Sequence, residues 1–224
     1  VRLAQLRYVI PAPARDETHA AWYSETFAPQ GAATIEAAGL IAGMRDGEPF
    51  VHCHGIWQLA DGTRHGGHLL PHDSILAEDA TLVAWGITGA AFVSSDDAET
   101  NFKLFSAQPG APGSLTAVLP RAVACTIRPN VDIANAIEDI CNRHGFGAAQ
   151  VSGVGSLVGV DFTDGRHVAS YATEVFITDG RVLPNDGTAS CVLDVALVDL
   201  DGHLHHGTLA RGQNPVCVTF ELMI

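Results

Sequence analysis

Positive charge is scarce in this chain, which has a single lysine, Lys103, and 12 Lys and Arg in all against 25 Asp and Glu, for a formal net charge of −13 at pH 7. Ligands of a duplex gain affinity by displacing counterions with Lys and Arg, so nucleic acid is an unfavoured partner. Long apolar runs are also missing. No stretch approaches the roughly 18 uninterrupted apolar residues that a spanning helix needs, and no membrane partner is expected. The opening VRLAQLRYVIPAP has neither the apolar core nor the small-residue cleavage pattern of a secretory signal. Five cysteines, Cys53, Cys125, Cys141, Cys191 and Cys217, are odd in number and form no Cys-x-x-Cys pair. That argues against a disulfide framework or a zinc ribbon, and for small buried hydrophobes in a reducing cytoplasm.

What remains is globular: 224 residues, 47% of them hydrophobic, enough for one large domain or two small ones. The chain repeats itself. With Asp61-Gly62 set on Asp201-Gly202, an offset of 140, His65 falls on His205, Gly67 on Gly207, Leu69 on Leu209, and Asp46-Gly47 on Asp186-Gly187. Both copies read as strand, turn, strand, with Asp-Gly supplying the positive φ of a tight hairpin turn. Residues 130–144, NVDIANAIEDICNRH, place apolar residues at helical spacing after a capping Asn130 and before a stopping Gly145. A linker rich in Pro and Gly follows the first copy, so the expected division is 1–107, a linker at 108–122, and 123–224.

Histidine is abundant. Of 11, five (His52, His54, His65, His68, His72) fall within 21 residues. His52 and His54 are two apart on a strand and therefore share a face, with Cys53 on the other. A two-residue turn at Asp61-Gly62 would turn His68 away; a bulge at Gly66-Gly67 would bring it back, diagonal to His54. Three converging imidazoles suit Zn²⁺ or another divalent transition metal, able to polarise a carbonyl or activate water. In the second copy His52, His54 and His68 become Val192, Asp194 and Thr208, so the ligand set occurs once. His72, Asp73 and Glu36 are candidates for acid/base work beside such a metal, and Arg64 for binding a substrate carboxylate. The Gly-rich SGVGSLVG follows rather than precedes the helix and has no Lys after it, so it is not a phosphate loop. Asp194, alone in the apolar CVLDVALVDL, needs a partner, for which His205 and Arg211 are candidates. Trp57 points away from the histidine face by alternation.

The stretch HCHGIWQLADGTRHGGHLLPHDSI resembles the histidine hairpin of the PPC (plant and prokaryote conserved, PCC) domain family: H-x-H, a turn with Gly, then G-G-H. RPNVDIANAIEDICNRHGFGAAQVSGVGSL is similar to that family's helix and Gly-rich strand. The resemblance implies an α+β fold of two tandem units, each an antiparallel sheet with a packed helix, the first incomplete at its N-terminus. It also implies trimeric assembly and, as in prokaryotic members, a metal on the residues matching His52, His54 and His68. Plant members bind DNA through a separate basic AT-hook, and no Arg-Gly-Arg-Pro core occurs here. The expected function is a metal-dependent hydrolase or lyase acting on a small carbonyl- or carboxylate-containing molecule. The alternative is a non-catalytic regulatory or DNA-binding-type protein with a structural metal.

Overall fold

The computed structural model describes residues 1–110, 122–186 and 188–224. Residues 111–121, which hold most of the expected linker and Arg121, lie outside it, as does Gly187 of the second Asp-Gly pair. The first half runs through β1 (Arg2–Gln5), β2 (Tyr8–Val9), β3 (Pro11–Ala12), β4 (Trp22–Tyr23), β5 (Ala33–Arg45), β6 (Glu48–Gln58), β7 (Arg64–Leu69), β8 (Ile75–Leu76), β9 (Ala90–Asp96) and β10 (Lys103–Pro109). The second half has β11 (Ala124–Ile127), α1 (Ile133–His144), β12 (Ala149–Leu157), β13 (Val160–Asp161), β14 (His167–Val168), β15 (Glu174–Asn185), β16 (Thr188–Val198), β17 (Leu204–Thr208) and β18 (Val216–Met223). An eight-stranded sheet has the order β10-β9-β5-β6-β7-β2, with β1 attached to β5 and β8 to β1; a six-stranded sheet has the order β11-β18-β12-β15-β16-β17. Pairing is antiparallel except between β5 and β9.

The α+β expectation, with a packed helix in each unit, is overturned. Strand takes 54% of the chain and helix 6%, in half-barrel sheets, and the one helix among the described residues is α1. It starts at Ile133, with Asp132 rather than Asn130 as the cap, accepting from the Asn135 N–H, and Gly145 stops it at φ 71°. Ile133, Ala134, Ile137, Ile140 and Cys141 form its buried stripe. In the first half the equivalent side of the sheet is closed without a helix. Trp57, fully buried, fills it together with Leu3, Leu6, Tyr8, Cys53 and Leu69. Tyr8 meets Trp57 edge-on at 4.8 Å and stacks on Phe27 at 4.9 Å. Pro11, Pro13 and Pro29 punctuate the preceding segment, where each removes a backbone donor and disfavours helix.

The two central hairpins share one register, displaced by 140 positions. Arg45 pairs with Glu48 as Asn185 does with Thr188, and His54 pairs with His68 as Asp194 does with Thr208. In the second hairpin of each, the loop is three residues, not two. Leu59 N–H bonds to Thr63 O, and Gly62, at φ 85°, bonds back to Leu59 O. Asp199, Gly202 and His203 repeat that arrangement. A three-residue loop with a left-handed Gly sets His68 directly opposite His54 with no bulge between β6 and β7. The bulges lie elsewhere, at Glu36 in β5 and Thr178 in β15.

The two sheets meet through Ile41, Ile56, Phe92 and Phe105 on one side and Val154, Phe176 and Ala196 on the other. Gly39 permits the approach: a Cβ there would stand 2.8 Å from that of Phe176. This contact sets the histidine face of β6 against β12, β15 and β18.

Candidate metal centre

His52 and His54 lie on the inner face of β6, opposite Ile41 and Gly39 of β5, and His68 enters from β7. Their nitrogens converge. His54 Nε2 is 2.9 Å from His52 Nε2 and 3.3 Å from His68 Nδ1, and one ligand atom from each ring lies within 4.8 Å of the others. The outward-facing nitrogens are held by the second sheet. His54 Nδ1 donates to the Val175 carbonyl at 2.9 Å. His52 Nδ1 lies 2.7 Å from Glu221 Oε2, and Glu174 Oε2 lies 2.6 Å from His54 Nε2. Both carboxylates are buried, Glu221 almost completely, at 1% exposure.

The electrostatics follow from this burial. Burial, reinforced by the charge of His54, holds His52 down to about 3. Burial and then His52 hold His68 well below its ordinary value. At His54 burial works against the charged form, but the Glu174 carboxylate and the Val175 carbonyl outweigh it and raise the pKa. Glu174, desolvated yet facing His54, is lowered; Glu221, for which burial dominates, is pushed up to about 8. Tyr23, half-buried, is raised well above a normal phenol by desolvation and then by the two carboxylates it faces.

A carbonyl can only accept, so His54 Nδ1 carries the proton, and a neutral His54 turns a bare lone pair toward the other rings. With Glu221 ionised, His52 donates Nδ1–H to it and likewise turns a lone pair inward. Lone pairs facing one another at 2.9 Å, beside a carboxylate, repel unless a cation or a proton lies among them. Three imidazoles with an adjacent carboxylate, two of the rings oriented through their remote nitrogens, form a donor set that fits a zinc-like ion.

These groups form the floor of a cavity of about 350 Å³, whose lining also includes Tyr23, Arg45, Phe50, Phe102 and Lys103. His72 and Asp73 line it too, at the exposed mouth. Glu36 and Arg64 do not: they pair with each other at 2.7 Å on the outer surface. Asp194 is bonded by Thr208 and lies 3.9 Å from Arg181, whereas His205 pairs with Asp199 and Arg211 with Glu138.

Comparison with known proteins places the second half. Residues 116–224 match the Plants and Prokaryotes Conserved (PCC) domain. That stretch contains α1 and the strands bearing Glu174 and Glu221; the histidine hairpin precedes it. Among solved structures, a plant- and prokaryote-conserved (PPC) protein from Pyrococcus horikoshii is 18% identical, with 47% of this chain and 78% of that one covered, at a TM-score of 0.38. A metal-containing protein from Archaeoglobus fulgidus is 17% identical over 50% and 83% of the two chains, at 0.39. A presumptive DNA-binding protein from Bacteroides thetaiotaomicron is 13% identical over 48% and 79%, at 0.40. No curated protein matches the chain. Among the described residues, no helix is long and apolar enough to cross a membrane.

Glu174, Glu221, Tyr23 and Arg45 escape a reading of the histidine segment alone. Glu221 carried a signal: in VCVTFELMI it is a lone carboxylate on an apolar strand, the same anomaly that singles out Asp194.

Proposed function

We propose that His52, His54 and His68 hold a divalent metal, zinc by preference, and that the cavity above them is the site of a metal-dependent hydrolase or lyase acting on a small carbonyl- or carboxylate-containing molecule. The observation that carries this reading is the convergence of three imidazole nitrogens, two of them oriented from behind by Val175 and Glu221, at the floor of a cavity. A divalent metal there supplies Lewis acidity toward a carbonyl. The chain's own residues supply the rest. Glu221 fixes the His52 tautomer, the Val175 carbonyl fixes that of His54, and Glu174 adds negative charge beside the nitrogens. Phe50 and Phe102 keep the floor dry, and the Asp73 carboxylate and the His72 ring stand at the mouth to take or return a proton. Glu36 and Arg64, on the outer surface, have no part in it.

The recurrence of one hairpin register at an offset of 140 supports a companion reading: residues 1–107 and 123–224 are divergent copies of one unit, the first keeping the histidines and the second the carboxylates that orient them.

Elemental analysis of the untagged protein, beside a His54→Ala, His68→Ala double variant, tests the site. About one zinc-like ion per chain is expected, lost in the variant. No metal in the native protein, even after zinc addition and dialysis, overturns the metalloenzyme reading; with metal present, ester and carbonyl substrates are the panel to screen.

A further inference from the structure

The cavity has a second chemical pole. Along β5 and β6, Ile41 pairs with His52, Gly43 with Phe50 and Arg45 with Glu48. Directly opposed residues share a face, as do alternate residues of one strand, so His52, Phe50 and Arg45 lie in line on the cavity side. At about 3.4 Å per residue, Phe50 stands roughly 7 Å from His52 and the Arg45 backbone roughly 14 Å. The Arg45 side chain turns back: its Cζ is 4.8 Å from the centre of the Phe50 ring. Its charge therefore sits beside the Phe50 ring, roughly 7–12 Å from the level of the histidines.

This guanidinium is the one that lines the cavity. Arg15, Arg64, Arg128, Arg166, Arg181 and Arg211 each have a carboxylate within salt-bridge distance. Arg45, like Arg2, Arg7 and Arg143, has none among the described residues, and of these four it alone lines the cavity, half-buried in a chain with 25 acidic side chains. The neighbouring Asp46 is engaged by Lys103 at 3.0 Å. A planar guanidinium stacked on an aromatic face keeps its edge N–H groups free, which is the geometry that receives a carboxylate through two parallel hydrogen bonds.

Resting on the reading of the histidine cavity as a small-molecule site, we infer that its ligand carries a carboxylate received by Arg45, with an apolar or aromatic body lying over Phe50 between that anion and the histidine cluster. The small volume and the separation of roughly 7–12 Å select a compact molecule, anionic at one end and bearing its reacting group at the other.

The test compares each of two acids with its neutral amide: 4-acetylbenzoate with 4-acetylbenzamide, and 4-oxopentanoate with 4-oxopentanamide. Affinities are measured by calorimetry on zinc-loaded and zinc-stripped protein. At least one acid is expected to bind about 10- to 100-fold more tightly than its amide, the worth of a hydrogen-bonded charge pair. Arg45→Met brings the acid to the level of its amide, and Arg45→Lys, which keeps the charge but not the fork, retains part of the preference. Acids and amides that bind alike or not at all overturn the inference, as does an acid preference that survives Arg45→Met. Zinc content of the same samples separates this from the metal reading: Arg45 is not a metal ligand, so the acid preference persists in stripped wild-type protein.

Discussion

Replacing Glu221 by Gln removes one charge and almost no volume from the floor of the cavity. In the wild-type protein Glu221 Oε2 stands 2.7 Å from His52 Nδ1, and an ionised carboxylate there makes His52 a stronger ligand through its other nitrogen. Losing such an orienting carboxylate typically weakens metal binding about 10- to 100-fold, or about 1.4–2.7 kcal/mol. A more specific signature lies in the protons. Without metal, burial pushes Glu221 up to about 8, so at pH 7 the carboxyl is mostly protonated. Binding a cation beside His52 expels that proton. Calorimetry in buffers of differing ionisation enthalpy should therefore find up to about one proton fewer released at pH 7 by Glu221→Gln than by wild type. Stability has a matching slope. A carboxyl raised from 4.5 to about 8 on folding stabilises the metal-free fold fully below the unfolded value. That contribution is lost as pH rises through about 8, since the folded state holds the proton longer. Urea titrations of metal-free protein should show this decline in wild type and its absence in Glu221→Gln. Equal proton release by the two proteins, with equal zinc affinity, would refute the assignment of Glu221 to the support of His52.

Two further substitutions test the frame. Gly67 has φ 151°, and a Cβ there would stand 2.3 Å from the Val9 carbonyl oxygen; Gly67→Ala should destabilise the fold by about 3 kcal/mol in urea titrations and weaken zinc binding through its neighbour His68. Glu138, at 4% exposure, accepts from the Cys191 N–H and from Arg211; Glu138→Ala should cost about 1–3 kcal/mol because a buried N–H loses its acceptor. Arg211→Ala should cost less, water replacing a side chain that is 62% exposed; the reverse order would show that the ion pair, rather than the backbone bond, holds α1 to β16.

The histidine hairpin was legible because two local rules suffice for it: alternation puts His52 and His54 on one face, and Asp-Gly marks the reversal. Its register was not legible. Gly62 at a left-handed φ suits a two-residue or a three-residue loop, and only the latter sets His68 against His54. The shared register of the two halves' central strands was foreshadowed by Asp-Gly pairs and glycines that recur at one spacing. The helix expected in each unit was an extrapolation from the second copy, and in the first Trp57 and Tyr8 supply by bulk what α1 supplies by its stripe. Alternation likewise cannot tell a cavity face from an outer one, which is why Glu36 and Arg64 looked available until they were seen paired. Glu174 and Glu221 lie far along the chain from the histidines, and nothing local announces which distant strand will cover a given face.

That distance has a consequence for the order in which the molecule is made. The three imidazoles belong to one short hairpin, which closes within microseconds, whereas Glu221 comes from 169 residues away and must wait for the slower docking of two sheets. On the proposed metal reading, such a hairpin would capture an ion loosely while the rest of the chain is still unplaced, and docking would tighten the grip by delivering the Val175 carbonyl and two carboxylates to the same place. If the histidines hold a metal as proposed, its supply during synthesis would act as a folding signal: an ion already seated would give the second half a charged target to close upon, and a chain that reached the same architecture empty would have to bury two acids against histidines with only protons to reconcile them.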